Sequence, residues 1–156
     1  MTITAWRICK ARRRAAAFSG AGARLYGGRW NSPGTPVVYT AGSISLAQLE
    51  MLVHLESEDL LRKYVLCPVM FDEALVLPLP ADDLPRNWRA DPPPRKLQEI
   101  GDHWIETGQS AVLRVPSVLV PQEANYLLNP AHPDFRKIKI GSFRSFRFDR
   151  RLGRQP

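Results

Sequence analysis

Residues 20–50 read GAGARLYGGRWNSPG, then TPVVYTA, then GSISLAQLE, and each piece asks for a different backbone. The region from Phe18 to Gly34 carries five of the chain's ten glycines (Gly20, Gly22, Gly27, Gly28 and Gly34), which predicts an irregular loop. Pro36 to Ala41 then holds the apolar run Val37-Val38-Tyr39-Thr40, the pattern of a short buried strand. Ser43 can cap a helix, and Leu46, Leu49, Leu52, Val53 and Leu55 roughly follow its period to about Ser57. Loop, strand and helix succeed one another here without the regular alternation of a doubly wound parallel sheet.

The flanking sequence extends the same mixture. Thr2 to Cys9, with Ile3, Trp6 and Ile8, predicts a first strand, and Lys10 to Ala17 is competent to form a helix. Lys63 to Asp72 and Ala74 to Leu77 predict two more strands. Pro78 to Pro94 contains six prolines, so a surface connection with at most one helical turn follows. A second helix is expected over Pro94–Thr107, opened by proline and closed by Gly108. Ala111–Val115, Val118–Val120, Asn125–Leu128 and Phe143–Phe148 read as the remaining strands. We expect an α+β fold, a mixed sheet with flanking helices, forming a single domain over residues 1–156.

With 44% hydrophobic and 24% charged residues the chain reads as globular, and at this length roughly 70% of its surface should be buried. The longest uncharged stretch, Trp30–Leu49, has too many polar, glycine and proline positions to span a bilayer. No secretory signal pattern opens the sequence, and Cys9 and Cys67 make no disulfide framework, so buried thiols in the cytoplasm are expected. The net charge of +7 is unevenly spread. Residues 1–49 carry seven bases and no acid, residues 50–135 carry fourteen acids and seven bases, and residues 136–156 carry eight bases and Asp149. Basic ends around an acidic middle suit an anion: nucleic acid, a phosphorylated small molecule or an acidic partner.

Within the glycine-rich stretch, Arg24 and Arg29 offer forked cations for phosphate, with Tyr26 and Trp30 providing flat surfaces beside them. The glycine spacing matches neither GxGxxG nor the P-loop. Glu50 is the first acid in the chain and falls along the edge of the predicted helix's apolar stripe, where it needs a partner; Arg29 and a ligand hydroxyl are the candidates. His54 and Glu58 stand four apart without further ligands at zinc spacing, so no metal is expected. Ser117 lies in no GxSxG elbow. The arginines of the last strand, interleaved with Phe143, Phe146 and Phe148, fit a half-buried strand or a nucleic-acid-binding face.

Several strings taken together resemble the RES-domain toxin family: Trp6-Arg7-Ile8, the run Gly22 to Ser32, Val38-Tyr39-Thr40-Ala41 and Ser45 to Glu50. Val115-Pro116-Ser117, Asn125 to Pro133 and Phe148 to Leu152 look like the same family, so the likeness runs from about Thr4 to Leu152. The resemblance implies a toxin of a bacterial type II toxin–antitoxin pair, neutralised by an Xre-like antitoxin that supplies DNA binding, with oligomers of the chain allowed in the complex. It implies a fold similar to ADP-ribosyltransferases, and NAD as substrate with no further cofactor and no metal. By position it assigns Arg29, Glu50 and Ser117 as the motif arginine, glutamate and serine, and Tyr39 as an active-site tyrosine. Arg7, Tyr26, Asn31, Ser32 and Asn125 follow as pocket residues that would bind the substrate.

These residue types suit cleavage of the nicotinamide–ribose bond, which leaves an oxocarbenium-like ribose. A carboxylate would hold a ribose hydroxyl and stabilise the developing charge, an arginine would clamp pyrophosphate, an aromatic ring would orient nicotinamide, and Ser117 would fix the substrate by hydrogen bonding. Water as acceptor gives hydrolysis, phosphate gives phosphorolysis, and a protein side chain gives ADP-ribosylation. A basic nucleic-acid-binding module is the reading from a different class.

Overall fold

The computed structural model describes residues 1–153, so the end of the expected 1–156 domain lies outside the described residues. In chain order the elements are β1 (Thr2–Lys10), α1 (Ala21–Tyr26), β2 (Val38–Ala41), α2 (Ile44–Leu52), β3 (Tyr64–Asp72), β4 (Val76–Pro78), α3 (Arg95–Thr107), β5 (Val112–Pro116), β6 (Ala124–Leu128), β7 (Lys139–Ile140) and β8 (Arg144–Phe146). They form one mixed sheet in the order β4-β5-β6-β2-β1-β3-β7, and β8 shares the outer edge of β3 with β7. Among the described residues only β4 and β5 run parallel. The fold is α+β, as the succession of elements predicts.

β1 and β3 pair along their full length, from Thr2↔Asp72 to Lys10↔Tyr64. β2 touches β1 in register at a single pair, Trp6↔Ala41, and continues into β6 through Ala41↔Asn125 and Tyr39↔Leu127. Because side chains alternate along a strand, Trp6, Ala41 and Asn125 line up on one face, together with Tyr39, Leu127 and Val115. Both longer helices pack there. Leu46 and Ala47 of α2 bury against Ile8, Ala41, Tyr64 and Phe148, while Leu97 and Trp104 of α3 bury against Trp30, Leu113 and Leu127. The opposite face, with Ala5, Val38, Val69, Val112 and Leu128, is closed by Phe18, Phe135 and Ile138 from the connections.

Four local expectations change. Ala21–Tyr26 is a helix inside the supposed irregular loop, bracketed by Gly20 and Gly27 at φ of 75° and 74°. These glycines punctuate the helix, because φ above zero is cheap only without a Cβ. Ala11–Ala16 is a 3-10 turn rather than an α-helix. Val118–Val120 forms no strand: the Ser117 hydroxyl accepts the N–H groups of Leu119 and Val120, which a ladder would otherwise need. Finally, α2 stops at Leu52 and buries Leu46 and Ala47, while Leu49 and Val53 are exposed. Its sequence is apolar on every side, so periodicity alone could not select the buried face.

Candidate active site

Glu50 projects from α2 on the side of Leu46 and Ala47, toward the sheet, and not along the outer edge of the helix. Its partners are neither Arg29 nor another cation. Ser117 donates its O–H to Glu50 Oε1 at 2.7 Å, and Asn125 Nδ2 donates to the same oxygen at 2.7 Å. Oε2 receives no hydrogen bond from the described residues, and Glu50 is half-buried. The carboxylate is therefore pinned at one oxygen and available at the other.

Ser117 is fully buried. A hydroxyl has one hydrogen and two lone pairs, and here all are engaged: Glu50 takes the hydrogen, and the N–H groups of Leu119 and Val120 fill the oxygen at 3.2 and 3.1 Å. The serine thus orients the carboxylate instead of presenting its own oxygen to a substrate. Asn125 sits opposite Ala41 on β6, and its Oδ1 is buried with no partner.

A second cluster surrounds the glycine-rich loop. The Tyr39 hydroxyl donates to Asn31 Oδ1 at 2.5 Å and accepts the Trp30 N–H at 3.2 Å. Burial pushes this phenol well above its ordinary range, with the Trp30 N–H acting in the opposite direction. Fully buried Asn31 turns its amide toward the carbonyls of Ala23, Ser32 and Thr35. Ser32 binds Asp102 of α3 through both its N–H and its hydroxyl, and Gln98 donates to the carbonyls of Gly28 and Asn31. Gly101 lets α3 approach the loop: a Cβ there would lie 1.6 Å from the Trp30 carbonyl oxygen. Arg29 points its Nη1 at the carbonyls of Trp88 and Ala90, at 3.1 and 3.0 Å.

Arg7 stands apart from both clusters but touches the strand they share. Its Nη1 donates to the Tyr39 carbonyl at 3.0 Å, while Nε is buried without a partner. Burial lowers its pKa, opposed by the neighbouring Cys9 and Cys67, and burial raises both thiols. No carboxylate among the described residues pairs with this guanidinium. An isolated buried cation is costly without an anion beside it.

The residues singled out in sequence thus divide. Glu50, Ser117 and Asn125 form one network, whereas Arg29, Asn31, Ser32 and Tyr39 belong to the loop cluster. Tyr39 and Asn125 share a sheet face two register positions apart, so β2 connects the two. Tyr26, 72% exposed at the end of α1, joins neither. Sequence reading missed Gln98 and Asp102. The available signal was Gly101, a glycine in a helix interior, which marks close backbone approach and points to the side chains beside it, Gln98 one turn before and adjacent Asp102. Among the described residues no three His, Cys, Asp or Glu side chains gather as a metal-ligand set.

The profile of the RES domain family matches residues 4–149. The chain belongs to the RES domain family. It is 42% identical over 149 residues to Toxin Res of Yersinia enterocolitica, covering 94% of this chain and 97% of that protein. It is likewise 42% identical over 160 residues to the Prs ADP-ribosylating toxin of a Sphingobium species, covering 99% of each. With relatives this similar along nearly their whole length, this RES-family chain is a toxin. A chain in the crystal structure of the M. tuberculosis MbcT–MbcA toxin–antitoxin complex has the same fold, with a TM-score of 0.69 at 20% identity over 94% of this chain and 85% of that one.

Proposed function

We propose that this RES-family toxin consumes NAD by breaking its nicotinamide–ribose bond, with Glu50 as the catalytic carboxylate. The observation carrying the reading is the asymmetry of that carboxylate: two neutral donors hold Oε1, and no described residue donates to Oε2. Neutral donors fix the group without cancelling its charge, so the free oxygen can bind a ribose hydroxyl and stabilise the oxocarbenium-like transition state. That stabilisation grows as positive charge develops, which is what accelerates a step instead of merely tightening binding. Arg29, the motif arginine by the family resemblance, takes the pyrophosphate through its guanidinium fork. Tyr39 and the loop it braces support the nicotinamide side. No metal and no second cofactor enters this scheme.

The toxin works in the cytoplasm and is held by an antitoxin, a pairing supported by the toxin–antitoxin complex of similar fold; the family resemblance makes that antitoxin Xre-like. Transfer to a protein side chain is the second reading, favoured by the ADP-ribosylating relative. Purified protein incubated with NAD in water, phosphate and cell extract, with products identified by mass, tests both. Nicotinamide release is expected. Free ADP-ribose or its phosphate identifies hydrolysis or phosphorolysis, and label on protein identifies transfer. NAD left intact in all three mixtures would overturn the proposal.

A further inference from the structure

We infer that the end of the sheet where Lys10, Arg12 to Arg14, Lys63, Arg144 and Arg147 meet is a second binding surface, for the phosphodiester backbone of nucleic acid. The two basic ends of the sequence converge there. β1 ends at Lys10 opposite Tyr64, and Tyr64 in turn lies opposite Phe146 of β8, so three strand ends stand side by side. The 3-10 turn Ala11–Ala16 leaves β1 at this point, and the Ala11 N–H binds the Lys63 carbonyl at 3.0 Å. Beyond the turn, the Phe18 ring lies 6.3 Å from that of Phe143, just before β8. Basic residues far apart in sequence are thereby brought to one end of the sheet.

Lys10 is half-buried and the other six cations are exposed. None takes part in an ion pair with a described residue: the pairs are Arg62–Asp59, Arg95–Glu99, Lys137–Asp134 and Arg151–Asp149. Asp59, the acid that senses Lys10, is already held by Arg62. Unpaired like charges repel one another, so this arrangement costs stability unless an anion covers it.

Charge outweighs apolar area on this surface: exposed Leu61 stands two positions before Lys63, and the other exposed large apolar residues among the described ones fall outside residues 10–18, 61–63 and 143–148. Protein interfaces draw most of their energy from aromatic and apolar anchors ringed by polar groups. A mainly cationic face suits a polyphosphate, where arginine forks meet phosphate oxygens and released counterions drive association. A 3-10 turn presents no groove-reading element, so binding should show no sequence preference.

The test is anisotropy of a labelled duplex of arbitrary sequence, titrated with the full chain at increasing NaCl. Neutralising about five phosphates gives a slope of about 4.5 in log Kd against log salt, a loss of roughly 500-fold between about 50 and 200 mM. The triple variant Arg12→Glu, Arg13→Glu, Arg14→Glu should weaken binding at least about tenfold at low salt and reduce the slope to about 2, with its melting temperature unchanged. Arg144→Gln with Arg147→Gln, on a separate segment, should lower the slope by about 2 and decides the matter if the triple variant fails to fold. No binding at the lowest salt, a salt-independent Kd, or full affinity in both variants would overturn the inference. So would polyglutamate displacing the duplex at equal charge, which assigns an acidic protein, or capture by phosphatidylserine vesicles without duplex binding, which assigns a membrane surface.

Discussion

The hydrogen bonds around Glu50 converge on a single atom, whereas those around the Gly27–Gly34 loop spread over backbone carbonyls. At Glu50, two side chains from β6 and from the turn after β5 meet one carboxylate oxygen. Around the loop, Asn31, Gln98 and Arg29 all aim at main-chain oxygens, and Tyr39 and Asp102 fill what is left. One arrangement leaves a charged atom available, and the other fixes the shape of a chain segment. Polar residues crowded into one sequence stretch can therefore do quite different work. Substitution of Glu50 itself should change catalysis and leave the fold; substitutions that disturb the loop should act first on the fold.

Glu50→Gln is the sharpest break of that contrast. Glutamine keeps a carbonyl oxygen for Ser117 and Asn125 but loses the negative charge. NAD consumption should fall by about a thousandfold, near 4 kcal/mol of transition-state stabilisation, with thermal melting almost unmoved. Kinetics and a melting curve on the same preparation check both halves. Gly101→Ala should invert the result. Its methyl would overlap the Trp30 carbonyl oxygen, which belongs to backbone and cannot swing aside. A cost of about 3 kcal/mol, or roughly 6–12 °C in melting temperature, is expected from forcing α3 off the loop.

The sequence disclosed the elements better than their faces. β1, β2, β3 and α3 were legible because their apolar patterns and proline or glycine boundaries agree. The buried side of α2 was not, since Leu49 and Val53 look as buriable as Leu46 and Ala47, and only packing against Ile8 and Tyr64 decides. At the site, residue types marked Glu50, and the family resemblance marked Ser117 and Asn125. Their convergence depends on β6 lying beside β2, a long-range pairing that no local pattern encodes. Arg29 drew attention through its glycines, yet its fork meets carbonyls of a proline-rich connection whose path could not be read in advance.

Ser117→Ala and Asn125→Leu compare the two donors to the same oxygen. Each leaves Glu50 less firmly oriented, so kcat should drop about tenfold with KM within about twofold, the loss of one charge-assisted hydrogen bond. Their stabilities should separate. The serine change also strips the acceptor from the Leu119 and Val120 N–H groups, costing about 1–3 kcal/mol. The asparagine change removes Oδ1, a buried acceptor already without a partner, so the melting temperature should hold or rise. Equal destabilisation by both would mean Asn125 braces the fold and not the carboxylate.

Tyr39→Phe carries the smallest effect and probes the seam between the regions. The phenol binds Asn31 and Trp30, and its loss should cost about 1–2 kcal/mol at neutral pH. Burial raises its pKa above the ordinary 10.0, so the folded chain keeps the proton after the unfolded chain has released it. The buried neutral phenol therefore contributes in full below pH 10.0, and that contribution falls as pH climbs past it. The stability gap between the native chain and Tyr39→Phe should accordingly narrow in the alkaline range, and denaturant melts on either side of pH 10.0 measure it. A gap that stays constant would show that the hydroxyl ionises as readily in the folded chain as in the unfolded one, and that the loop is not sealed around it.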